Sequence, residues 1–283
     1  MSEAMGGSEE AELDARDRMR ALVRRVAETC DLPTLPAVAA RALTLARSPD
    51  AKANDLAKLV LTDGPLAARV LKISRSVLYT RRYPPNSLQD AIVTVGFGAL
   101  RKILIAASAR SAYRADDAVA QKLWEHALAT ALAADELAVA SRRPRGGDGF
   151  IAGLLHDIGK LVFHLSDADG YRTVMGKDEA AEEALFGVSH AAVGACLAEQ
   201  WGLDTEISEA ILLHHSGDSA PLAVQLATAD RIAHEIGYAS AVDIEVGAQD
   251  DAAAVDAGDA DAGHLALLER VTSSFESERS SFE

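Results

Sequence analysis

A chain of 283 residues can bury a core in one large domain or two small ones. Hydrophobic residues make up 49% of it and aromatics 5%, with alanine and leucine abundant, which favours helices over sheets. The formal charge of −15 argues against a nucleic-acid binder held by phosphate contacts.

The acidic excess is uneven. Residues 240–283 carry eleven Asp and Glu against Arg270 and Arg279, a balance of −9, so the rest is only mildly acidic. Cys30 and Cys196 are too few for a disulfide framework, and a reducing compartment is expected. Met1 to Arg20 holds six acids and no apolar run, so no secretory leader is expected. No uncharged stretch reaches the length of a membrane span. The expectation is a cytoplasmic protein that engages neither membrane nor nucleic acid.

Residues 1–16 are small and acidic and read as a disordered tail. Met19, Leu22, Val23 and Val26 give a helix over 17–29 its apolar stripe. Pro33 and Pro36 forbid a continuous helix there, and Pro36 starts the next one, which runs to about Arg47. Asn54 is the expected cap of helix 55–62, and Asp63 that of helix 65–76, with Pro65 in its first turn. Ser87 caps helix 88–95; Gly96-Phe97-Gly98 then breaks the chain before helix 99–113. Short, closely spaced helices of this kind make a compact bundle.

The second half opens with helix 118–140, where His126 sits beside an alanine-leucine stripe. Arg142 to Gly149 is a basic loop. Phe150, Ile151, Leu154, Leu155, Ile158, Leu161, Val162 and Leu165 then recur at helical spacing, with His156 and Asp157 in their midst and Gly159 weakening the helix beside them. A buried carboxylate needs a partner or a cation. Taken alone, the pair reads as a His-Asp contact satisfied by helix termini.

More residues of ligand type follow on apolar segments. A polar stretch over 166–179 leads to helix 180–186, and Ser189 caps a helix that begins with His190. Helix 205–215 ends on His214 and His215, which reach one cluster together only from a helix end. Helix 221–237 carries Asp230 on an apolar face. Imidazoles mixed with carboxylates suit Fe, Mn, Ni or Zn, and spacings this wide suit ligands gathered from several helices of a bundle. His164, His234 and His264 read as ordinary helix or surface residues, and Arg142, Arg143 and Arg145 as a solvated loop. Residues 239–263 are a low-complexity acidic linker, and His264 to Phe275 a short terminal helix that can dock back. The expected organisation is a tail (1–16), an N-terminal helical half (17–120), a second helical half (121–238), a linker (239–263) and a terminal helix with its tail (264–283).

The series His126, His156-Asp157, His190, His214-His215 and Asp230 resembles the ligand series of the HD phosphohydrolase superfamily. Leu32-Pro33 with Leu35-Pro36, Asp55-Leu56-Ala57, Asp63 before Pro65-Leu66, Leu88 with Asp90-Ala91-Ile92, and Val95-Gly96 before Leu100-Arg101 narrow the resemblance to its HDOD (HD-related output domain) branch. It covers about residues 30 to 240. Arg75 departs from it, since family members usually carry asparagine there.

The resemblance implies an all-α, HD-like bundle with an N-terminal helical subdomain. It also implies one or two divalent transition metals, one held by His126, His156, Asp157 and Asp230, the other by His190, His214 and His215 with Asp157 bridging. The implied role is signal transduction through contact with a partner protein. The alternative is a metal-dependent phosphohydrolase acting on a nucleotide or other phosphodiester, such as a cyclic dinucleotide, with Asp157 and Lys160 catalytic and Lys160 steadying phosphoryl oxygens. The Gly-Tyr-Pro signature of one phosphodiesterase branch is absent; Ser216 to Pro221 follows the paired histidines instead. A structural cluster without metal is the third reading.

Overall fold

Alanine lets helix backbones approach closely, and the helix Ala118–Ala140 uses it on several sides. Ala127, Ala129, Ala131, Ala133 and Ala134 are all fully buried. This helix runs through the middle of the molecule. The computed structural model describes residues 34–76, 79, 84–113, 116–141, 147–239 and 262–282. The expected helix 17–29, the tail 1–16, Cys30, Leu32-Pro33, the loop arginines and nearly all of the linker lie outside the described residues.

Every regular element among the described residues is helical. The N-terminal half holds α1 (Ala37–Ala46), α2 (Ala53–Val60), α3 (Gly64–Ser74) and α4 (Leu88–Arg110). The central helix is α5 (Ala118–Ala140). Around it come α6 (Asp148–Leu155), α7 (Ile158–Ser166), α8 (Ala168–Val174), α9 (Glu179–Phe186), α10 (His190–Gln200), α11 (Thr205–Leu213), α12 (Pro221–Glu235) and α13 (Ala262–Phe282). One apolar cluster runs from Leu56 and Ile103 through Leu128 to Leu155 and Leu226, so both halves share a core.

Three of the four expected caps form, Ser189 among them through the Ala192 amide. Asp63 accepts from the Leu66 amide and Ser87 from the Asp90 amide. Asn54 does not cap: α2 starts two residues earlier than expected, behind Lys52, which leaves Asn54 inside the first turn. The break at Gly96 is real, with φ 79 and ψ 169, so α4 is two helices meeting at a kink, as expected. This helix is long and apolar enough to cross a membrane. Its second part, from Leu100 to Ala109, is core. Arg75 donates Nε to the Pro85 carbonyl, tying the end of α3 to the approach to α4.

Charged pairs hold the halves in register. Lys102 on α4 and Asp135 on α5 form a buried pair at 2.7 Å. Arg101 bridges Asp148 and Asp204, and Arg47 also reaches Asp204. Asp117 joins two functions: one carboxyl oxygen caps α5 through the Val119 and Ala120 amides, and the other takes the His164 Nε2 proton at 2.7 Å. Burial raises its pKa, but those donors outweigh burial and hold the carboxyl below its usual range. Asp117→Ala should lower stability by about 1–2 kcal/mol, a fall of a few degrees in Tm. An acid whose folded pKa is depressed stabilises above its unfolded value and loses that contribution as pH falls. The gap between wild type and variant should therefore close below about pH 4, measured by thermal melts across pH.

Candidate metal centre

His156 and Asp157 occupy a joint. α6 ends at Leu155 and α7 begins at Ile158, whereas the apolar periodicity predicts one unbroken helix. Successive residues of a helix point about 100° apart. Breaking it lets both side chains serve one spot, and both stay buried. Gly159 is needed for close approach rather than for weakening: a Cβ there would lie 2.3 Å from the His190 carbonyl oxygen. That contact sets the start of α10 against the start of α7 and brings His190 onto Asp157.

The other donors arrive from four elements. His126 comes from the middle of α5 and Asp230 from α12. His214 is the C-cap of α11 and His215 follows it, the helix-end placement that two adjacent histidines require. His126 Nε2 lies 3.1 Å from Asp230 Oδ1, 3.4 Å from Asp157 Oδ2 and 3.2 Å from His156 Nε2. On the other side of Asp157, His190 Nε2 lies 3.3 Å from Oδ1 and 3.2 Å from His215 Nε2, with His214 Nε2 at 3.9 Å from Oδ1. Donors about 2.1 Å from one metal ion are spaced about 3.0–3.4 Å along octahedral or tetrahedral edges. The two groups share Asp157, as a bridging carboxylate would.

The outer nitrogens decide which way the rings face. His126 Nδ1 is 2.7 Å from the Tyr238 carbonyl, His156 Nδ1 2.7 Å from that of Gly153, and His214 Nδ1 2.6 Å from that of Ile211. His190 Nδ1 is 2.7 Å from Glu182 Oε2. A carbonyl or carboxylate oxygen only accepts, so each Nδ1 carries hydrogen and donates. In the neutral rings every Nε2 is then a lone pair aimed inward. Asp157 Oδ1, Asp230 Oδ1 and His214 Nε2 are buried and make no hydrogen bond. Such orphaned acceptors around one point fit a transition metal.

Electrostatics agree. Burial alone would strip His126 of its proton, but Asp157 and Asp230 outweigh it and hold the imidazolium up to about 9. Burial also opposes charge on Asp157, yet His156, Lys160, His126 and His190 keep its carboxyl well below the usual range. Asp230 is held down in the same way by His126, His156 and His234. His190 and His214 are pushed down, first by burial and then, for His190, by the Lys160 ammonium and, for His214, by the neighbouring imidazoles. Charged carboxylates and neutral imidazoles are the forms a metal binds, which suits Asp157, Asp230, His190 and His214, while His126 must first give up its proton.

Two participants were not singled out by the sequence. Glu182 is buried on α9 and accepts from both Nδ1 and the backbone amide of His190. Burial lifts its pKa to about 7. In sequence it is one acid among Glu179, Glu182 and Glu183, indistinguishable from a solvated face. His234, expected to be ordinary, lies with Nδ1 3.3 Å from Asp230 Oδ1, its ring 4.9 Å from that of His126. Its signal was the four-residue offset from Asp230, which puts both on one helix face. His164 pairs with Asp117, and His264 with Glu235, away from the centre. Lys160 Nζ is 2.7 Å from Asp157 Oδ2. A cavity of about 530 Å³, lined by Lys160, Tyr171, Lys177, His215, Asp230 and His234 among others, opens onto the cluster.

Comparison with known proteins gives a consistent picture. A family model for the HDOD domain matches residues 32–217. An HDOD domain protein of unknown function from Geobacter sulfurreducens superposes with a TM-score of 0.70 at 25% identity, covering 95% of this chain and 98% of that one. A phosphohydrolase candidate from Shewanella amazonensis gives 0.69 at 24% identity, with 93% of this chain and 97% of that one covered, a likeness of fold. An uncharacterized Treponema pallidum protein is 26% identical over 201 residues, 68% of this chain but only 39% of that protein.

Two outcomes follow from this geometry. Glu182→Gln should weaken divalent-metal binding about 10–100-fold, measured by competition with a chromogenic chelator. The proton on His126 must leave when a metal arrives. Apparent affinity should therefore rise with pH from 7 to about 9, by up to about tenfold per unit for one proton released, measured by calorimetry in buffers of differing ionisation heat.

Proposed function

The chain belongs to the HDOD domain family, and from that premise we propose that it is a signal-transduction module that acts by contact with a partner protein and carries a two-centre transition-metal site. His126, His156, Asp157 and Asp230 would hold one ion. His190, His214 and His215 would hold the other, with Asp157 shared. The signalling role rests on the family, and one observation carries the metal site: inward-facing imidazole lone pairs, each locked by an outer hydrogen bond, surround two orphaned carboxylate oxygens in a buried site. Nitrogen and oxygen donors together favour Fe, Mn, Ni or Zn over Ca or Mg.

A second reading, metal-dependent hydrolysis of a phosphodiester such as a cyclic dinucleotide, is favoured by the cavity beside the cluster. When bound, two divalent ions would supply charge stabilisation and a water activated near neutral pH. The chain's own part would be positional. Lys160, anchored on Asp157, presents an ammonium at the cavity wall, where it can hold a phosphoryl oxygen as a point charge. His190 and Glu182 form the buried floor, and His234 and His215 stand at the exposed rim.

The test is to purify the full chain without chelator, measure its transition-metal content, and assay bis-p-nitrophenyl phosphate and cyclic dinucleotides with added manganese or iron. One to two ions per chain, lost in Asp157→Ala, with no turnover above that variant, is the expected result. Turnover that vanishes in Asp157→Ala would replace the signalling reading with the hydrolase. A chain that binds no transition metal would overturn both.

A further inference from the structure

The helix α13 lies beyond the matched family segment, and residues 240–261 separate it from the bundle. It nevertheless packs into the core. Val271, Phe275, Glu278 and Phe282 form one stripe at helical spacing, each buried. Phe282 meets Phe150 of α6, ring centroids 6.0 Å apart. Arg270 pairs with Glu136, and Arg279 with Glu125, both on α5. One helix therefore grips α5, which carries His126, and α6, which leads into His156.

Phe275 makes the contact that reaches the centre. Its ring lies 3.9 Å, centroid to centroid, from that of Tyr238. Tyr238 stands just past α12 in a helix-ending turn. Gly237, with φ 91, returns its amide to the His234 carbonyl, and Tyr238 returns its own to Ala233. The turn reverses the chain so that the Tyr238 carbonyl, at 2.7 Å, accepts the Nδ1 proton of His126. Of the four locked rings, His126 alone takes its outer hydrogen bond from beyond α12; the bonds of His156 and His214 come from three residues back, and that of His190 from α9.

We propose that docking of α13 regulates the metal centre: Phe275 on Tyr238 holds the carbonyl that orients His126, and so sets the affinity of the His126, His156, Asp157 and Asp230 side for a divalent transition metal. This rests on the metal-site reading above. With α13 displaced, Tyr238 loses its apolar cover and the turn is free to move. His126 then loses its Nδ1 acceptor, and its proton can sit on Nε2, the atom that must face the metal. The side formed by His190, His214 and His215 has its own lock in Glu182 and does not depend on α13. Linkage makes the effect reciprocal: metal on the His126 side tightens α13 onto the bundle. A partner that competes for the buried stripe of α13 would thus change metal occupancy.

The experiment uses the full chain with zinc as probe. Wild type and Phe275→Ala are titrated against a chromogenic chelator, and hydrogen exchange of residues 265–282 is followed with and without zinc. The expected result is two binding steps in wild type, one of them weakened about tenfold in Phe275→Ala while the other is kept, with Phe275→Leu intermediate. Zinc should slow exchange across 265–282 in wild type. Equal affinities in variant and wild type, or loss of both steps together, would overturn the proposal while leaving the metal site standing. Should the variant fail to fold, zinc-independent exchange of α13 in wild type overturns it alone. A wild type that binds no zinc overturns the metal reading itself.

Discussion

Two imidazole nitrogens 3.2 Å apart repel each other when both present lone pairs, and a proton or a metal ion relieves that repulsion. That constraint governs the arrangement here. His126 meets His156 at that distance, and His190 meets His215. Carbonyls or Glu182 occupy the outer nitrogens of four rings, so His126 and His156 cannot turn away from each other without breaking a buried hydrogen bond, whereas His215 stands exposed at the rim. In the absence of metal a proton serves: His126 keeps one up to about 9, because Asp157 and Asp230 face it. The same carboxylates that retain the proton would take a divalent ion in its stead.

The surrounding fold exists to hold these donors at those separations. The break between α6 and α7 lets two consecutive residues serve one point, and Gly159 removes the side chain that would keep α10 away. Alanines on α5 let α6 and α12 close around His126. The N-terminal half contributes no donor among the described residues, yet its core is continuous with the rest, and the buried Lys102–Asp135 pair fixes α4 against α5. Breaking such a pair by removing one partner leaves a buried charge uncompensated, typically several kcal/mol. The site is therefore supported from both halves, although its ligands lie in one.

Much of this was legible in the sequence, for a physical reason. Polar ligands on otherwise apolar helices stand out against their surroundings, so His126, His156, Asp157, His190, His214, His215 and Asp230 could each be picked out, and the structure brings all of them to one place. The all-helical bundle followed from alanine and leucine content and from caps such as Asp63 and Ser87. Glu182 was hidden because a buried acid and a solvated one look alike within an acidic run. The joint at His156 was hidden because apolar periodicity continues through it. The terminal helix came out longer than expected: serines and glutamates after Val271 dilute the pattern, while Phe275 and Phe282 still complete the buried stripe.

The most direct measurement is anomalous diffraction at transition-metal absorption edges, on crystals of the full chain grown without chelator. The account predicts two peaks flanking the Asp157 carboxylate, one within bonding distance of His126 and His156, the other of His190 and His214. No anomalous density at either position, with hydrogen bonds from His126 directly to Asp157 and Asp230 in its place, would contradict it.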